Sequence, residues 1–197
     1  MRKVALPVLA VVLMLAGIIG MVSTAVYLFA EDAASGGVAS VGVGGGMDAM
    51  FIEQMIPHHD DAIEMAELAL TRAEHPEIRR LARNIKRTQT AENAQMRSWY
   101  REWFGTDVSD ARGSFGMRGG MMGSGGADMS DLETADPFDK AFIEAMIPHH
   151  EMAIMMSQMA GRASGREEMR GLTTSIIEAQ SAEIDMMQEW YEKWYRR

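Results

Sequence analysis

A chain of 197 residues with a formal net charge of −9 is long enough for one modest domain plus an anchoring segment. Its acidic balance argues against nucleic acid as a partner, which would call for Lys and Arg to displace counterions, and suits cations. The absence of cysteine excludes disulfides and thiolate metal sites, while 20 methionines far exceed the roughly four or five that average usage would supply.

At the N-terminal end, Arg2 and Lys3 precede an uncharged, mostly apolar run from Val4 to Ala30. About 20 such residues span a bilayer as a helix, and a signal-peptide core is shorter, about 7–15 residues. Residues 1–30 are therefore read as an uncleaved signal anchor, a single transmembrane helix contacting the lipid bilayer. The small residues Ser23, Thr24 and Ala25 keep open the alternative of a cleaved signal. Basic residues ahead of the run stay cytoplasmic, so the remainder is expected to be extracytoplasmic at the cell membrane, or secreted if cleavage occurs. Residues 31–46, rich in Gly, Val and Ser, read as a flexible linker.

Residues 47–104 and 137–197 form an internal repeat. Phe51-Ile52-Glu53-Gln54-Met55-Ile56-Pro57-His58-His59 recurs as Phe142-Ile143-Glu144-Ala145-Met146-Ile147-Pro148-His149-His150, an offset of 91 from His58 to His149. The same offset maps Met65 onto Met156, Leu81 onto Leu172, Gln89 onto Gln180, Glu92 onto Glu183, Met96 onto Met187 and Trp99-Tyr100 onto Trp190-Tyr191. Between the repeats, residues 105–136 alternate Gly with Met117, Met121, Met122 and Met129 without periodicity, and read as a linker loop.

Each repeat reads as a helical hairpin. The first helix is expected from about Asp48 to Ala73, with Phe51, Met55, Ala62, Ala66 and Ala69 on one side near the 3.6-residue period. The second is expected from Pro76 to Phe104, with Leu81, Ile85, Thr88, Glu92, Met96, Trp99 and Trp103 along one seam. His75-Pro76 separates them, because proline disfavours helix in the residue before it; in the second repeat the break falls near Gly161 to Gly165. A helix running through Pro57 and Pro148 is favoured over one starting there, since the apolar stripe begins before each proline. One hairpin leaves its apolar seam exposed; two bury theirs together. The fold class is all-α: a ferritin-like four-helix bundle of two duplicated hairpins.

Four of the five histidines lie in the two His-His pairs. On a helical wheel with Met55 at 0°, His58 falls near about 300° and His59 near about 40°, either side of Ala62. Both rings then face the interior, where buried imidazoles need partners. Glu92 and Glu183 interrupt apolar seams, and an unpaired buried carboxylate is destabilising by several kcal/mol. A metal or a histidine hydrogen bond would relieve that. Met55 and Met146, one turn before His58 and His149, share their face and are candidate thioether ligands, with Met96 and Met187 on the Glu seam. Met65, Met156 and Met159 are expected to fill core gaps. The candidate metal site is thus Met55, His58, His59, Glu92, Met96, Met146, His149, His150, Glu183 and Met187. Thioether with imidazole selects copper, with Cu(I) favoured and Cu(II) acceptable. Too few carboxylates are present for a di-iron centre. Binding is expected to weaken below roughly pH 6, since imidazole ligates only when neutral.

The phrase Phe-Ile-x-x-Met-Ile-Pro-His-His-x-x-Ala-Ile-x-Met, present twice, resembles the domain of unknown function 305 family over about residues 47–197. That resemblance implies an exported ferritin-like helical bundle linked to copper binding and copper tolerance. It implies ligand roles for Met55, His58, His59, Met146, His149 and His150. Ala66 faces Ser157 in the alignment of repeats and Asp60 faces Glu151, so the two halves are not identical. The leading reading is a copper-sequestering or copper-transferring protein rather than an enzyme, without catalytic residues, whose partners are the metal ion and a copper donor or acceptor protein. The alternatives are a metal-dependent oxidoreductase and a structural, partner-binding module built on the Trp99, Trp103, Trp190 and Trp194 cluster.

Overall fold

The computed structural model describes residues 43–108 and 129–196. The expected transmembrane helix, most of the first linker and the centre of the second lie outside those residues. Among the described residues there is no strand, and no helix is long and apolar enough to cross a membrane. The helices are α1 (Val43–Arg72), α2 (Pro76–Phe104), α3 (Met129–Thr134), α4 (Phe138–Ala163) and α5 (Glu167–Tyr195).

Two features differ from the elements expected from the sequence. Helix α1 begins inside the Gly-rich stretch, at Val43, earlier than Asp48. The second linker contains the short helix α3, whose Leu132 is buried in the core. Local chemistry explains the main break: His75 has an extended backbone and Pro76 takes the first helical position, where its missing N–H is no loss. At the far end of α2, Gly105 adopts φ 70°, a left-handed conformation, and its N–H bonds the Arg101 carbonyl. In the second repeat the interruption narrows to residues between Ala163 and Glu167, and Gly161 stays helical. There glycine is needed for close approach, since a Cβ would lie 2.7 Å from Thr173 Oγ1. Both α1 and α4 run through their prolines.

Helices α1 and α2 pack as one hairpin, α4 and α5 as another, and α1 packs on α4. The core divides into two apolar clusters. One joins Ala62, Met65, Ala66 and Ala69 of α1 and Ile78, Leu81 and Ile85 of α2 to Phe142, Ile143 and Met146 of α4 and Met187 of α5. The other joins Phe51, Ile52, Met55 and Ile56 of α1 and Met96 and Tyr100 of α2 to Ala153, Met156 and Ala160 of α4 and Met169, Leu172 and Ile176 of α5. The start of α1 therefore lies against the end of α4, so the two run antiparallel. Alanines at 62, 66 and 69 leave the α1 backbone room to approach its neighbours.

The stripe on α2 is rotated from the sequence expectation. Ile78, Leu81, Ile85, Gln89, Asn93, Met96 and Tyr100 are buried, whereas Thr88, Glu92, Trp99 and Trp103 sit at its edge. The Tyr100 hydroxyl donates to Glu53 on α1. Tyr191 makes the equivalent bond to Glu144 at 2.6 Å. Met65 and Met156 fill the core as expected, but Met159 does not: it is 56% exposed, on the α4 flank away from the packed face.

Candidate metal centre

Along all four long helices the apolar clusters are interrupted at the same level. Between them fall His58 and His59 on α1, Gln89, Glu92 and Asn93 on α2, His149 and His150 on α4, and Gln180 and Glu183 on α5. Antiparallel packing of two equal repeats brings these segments into one polar layer across the middle of the bundle. His58 and His149 meet there with ring centroids 3.7 Å apart and planes tilted by 37°.

His59 and His150 are fully buried, and each has one nitrogen engaged by the carboxylate of its own repeat. His59 Nε2 lies 2.8 Å from Glu92 Oε2, and His150 Nε2 lies 2.7 Å from Glu183 Oε2. The carboxylates thus hold the rings in place, as carboxylates behind ligating histidines do in metal sites. The halves differ in detail. Glu183 is more deeply buried and also accepts from Asn84 Nδ2 at 3.0 Å. In the other half, Asn93 donates to Asp60 Oδ1 at 2.8 Å, and its repeat counterpart is the apolar Ile184. Asn84 and Asn93 were not picked out from sequence. Their signal was a polar residue breaking an apolar stripe, the same signal that marked Glu92.

What the layer leaves unsatisfied defines its chemistry. Nδ1 of all four histidines and Nε2 of His149 are buried without a hydrogen-bond partner, as are Oε1 of Gln89 and of Gln180. Orphaned buried polar atoms are uncommon in folded proteins. These five nitrogens belong to four rings, and since a neutral imidazole keeps one lone pair, each ring offers at most one nitrogen donor. Burial first, then the neighbouring imidazoles, lowers His58 to about 3 and holds His149 well below the usual histidine value. Both are neutral at physiological pH, the state in which imidazole ligates.

Met55 and Met146 are fully buried one turn before the histidines, and Met96 and Met187 one turn after the glutamates. Met55 and Met96 border the layer on one side, Met146 and Met187 on the other. Among the described residues no three His, Asp or Glu side chains are arranged to hold a metal ion. A cation in this layer would draw on imidazole nitrogens supplemented by bordering thioethers. That donor set fits a soft ion and fits a hard one poorly.

The chain matches the family described as "Domain of unknown function (DUF305)" over residues 48–195. Among solved structures it is similar to CopM in its Cu(I)-bound form, with 46% identity and a TM-score of 0.65, covering 75% of this chain and 97% of that one. CopM in its Cu(II)-bound form gives the same identity and TM-score. A putative secreted DUF305 protein from Streptomyces coelicolor is 27% identical with a TM-score of 0.64, over 75% of this chain and 93% of that one. No curated protein matches the chain.

Proposed function

For a chain that belongs to the DUF305 family, with unpartnered imidazoles from both repeats meeting at its centre, we propose copper binding: sequestration of the ion or its transfer to another carrier. The observation that carries this reading is the contact of His58 with His149 among buried nitrogens that lack partners. A relative of 46% identity has been solved with Cu(I) and with Cu(II) bound. His58, His59, His149 and His150 are assigned as nitrogen ligands, with Met55, Met146, Met96 and Met187 as thioether donors. Glu92 and Glu183 orient His59 and His150. The thioethers favour Cu(I) over Cu(II).

The ferritin-like description belongs to the same reading, as does the setting. The apolar run from Val4 to Ala30 would anchor the chain and leave the bundle outside the cytoplasm, where copper is delivered or detoxified by exchange with another protein. Binding alone is assigned, with no catalytic residue.

Titration of the full chain with Cu(I) against a competing chelator tests the proposal. Near-stoichiometric uptake is expected, and its loss when His58, His59, His149 and His150 are all replaced by Ala. Unchanged affinity in that variant would remove the proposed ligands.

A further inference from the structure

The repeats share the His-His, Gln and Glu positions of the central layer and differ markedly on one flank. Where α1 carries Asp61, Glu64 and Leu68, α4 carries Met152, Met155 and Met159. Taking His149 as 0° on the helical wheel, Met156, Met152, Met159 and Met155 fall at about 340°, 300°, 280° and 240°. On this arc Met156 is buried and Met152 half-buried, while Met155 and Met159 are 39% and 56% exposed. Met152, Met155 and Met159 are three and four residues apart in turn, hence neighbours on the helix surface. His149, three residues before Met152, has both ring nitrogens unpartnered.

Helix α1 carries further methionines near its start. Its first turns lie against the last turns of α4, and there it carries the half-buried Met47 and Met50, which is 41% exposed. The equivalent positions at the other end of the seam are Phe138 and Ala141. Thioethers are thus gathered on one half of the α1–α4 seam and absent from the flank positions of the other.

The exposed large apolar side chains among the described residues are Met50, Met155 and Met159, with no Leu, Ile, Val, Phe or Trp among them. A surface for docking another protein through apolarity would draw on aromatic and branched residues as well. Restriction to methionine points to sulfur as the selected property. We infer that this flank is a surface site for a soft monovalent cation, Cu(I) or Ag(I), from which the ion passes by thioether exchange along Met159, Met155 and Met152 to His149. The passage to His149 rests on the copper reading above; the surface site itself does not.

The full chain labelled with 13C-methyl methionine would be titrated with Ag(I), and Cu(I) loading from a chelator followed by stopped flow. Comparison variants are M152L/M155L/M159L, a volume-conserving change at exposed or half-exposed positions that keeps the fold, and the fourfold histidine-to-alanine variant. Ag(I) should shift the Met152, Met155 and Met159 methyl signals in wild type and in the histidine variant alike. The leucine variant should fill the central histidine site with Cu(I) about tenfold more slowly than wild type. Silent methyl signals, or loading of the leucine variant at the wild-type rate, would overturn the inference. Responsive methyls in a wild-type protein whose histidines take up no Cu(I) would sustain the surface site and refute the central copper reading.

Discussion

Replacing His150 by Ala in the metal-free protein is expected to destabilise it more than replacing His59, although the two are repeat equivalents. Each change removes a fully buried ring of the same size. The lost transfer energy and the cavity left behind, a few kcal/mol together, largely cancel in the comparison. What remains is the abandoned carboxylate. Glu183 has 6% of its side chain exposed and would keep only the Asn84 amide, whereas Glu92 has 20% exposed and reaches water. A buried ion stripped of its partner is destabilising by about 3–5 kcal/mol. A carboxylate that recovers hydration loses the hydrogen bond alone, about 1.5–3 kcal/mol. The expected difference is about 1–2 kcal/mol, which separates the urea midpoints by about 1 M at ordinary m-values. Urea unfolding followed by circular dichroism at pH 7 with a chelator present measures it directly. Adding Glu183→Leu to His150→Ala should recover part of the loss, because no charge then stays buried. Equal losses for the two histidines, or a larger one at His59, would refute the reasoning.

Acid should destabilise the metal-free protein in a defined window. His58 is lowered to about 3 and His149 is held well below its ordinary value, chiefly by burial, while both titrate near 6.5 when unfolded. The unfolded chain therefore binds more protons below that value, and stability, complete above about pH 6.5, falls toward pH 3 by up to about 1.4 kcal/mol per pH unit per histidine. Urea unfolding at pH 7, 5.5 and 4.5 should show this slope, and H58Q/H149Q should flatten it. A second prediction concerns the ends of the bundle. Asp139, buried, accepts from the backbone N–H groups of Glu74 and His75 at 3.1 and 2.7 Å and engages His75 Nδ1 at 2.6 Å; the His75 ring stacks on Trp194 at 3.7 Å. Its repeat counterpart Asp48 pairs with Arg166 at 3.3 Å, and Arg166 lies 4.3 Å over Trp103. Because Asp139 also caps two backbone donors, Asp139→Ala should lose about 2–4 kcal/mol and Asp48→Ala less, read as thermal melting temperatures. Equal shifts would count against this difference.

The duplication made the centre of this molecule legible in the sequence. Once His58-His59 and His149-His150 stood at the same register of two equal hairpins, antiparallel packing had to bring them together. Glu92 and Glu183, out of place in apolar seams, proved to hold His59 and His150. The rotation of α2 was not legible, because Trp99 and Tyr100 are adjacent and both apolar enough to enter the core. The paired ends were recoverable in principle, since Asp48 and Asp139, His75 and Arg166, and Trp103 and Trp194 all obey the offset of 91. His and Arg differ in identity and share only their positive or hydrogen-donating character, which hid the match. Helix α3 was lost in a Gly-rich composition that gives no period, although Leu132 is its one buried anchor.

X-ray absorption at the copper edge of the Cu(I)-loaded full chain tests the central claim most directly. Mixed nitrogen and sulfur scattering around the ion is predicted, with sulfur reduced in M55L/M146L and nitrogen lost in the fourfold histidine variant. A shell of oxygen alone, or a spectrum unmoved by either set of substitutions, would contradict it.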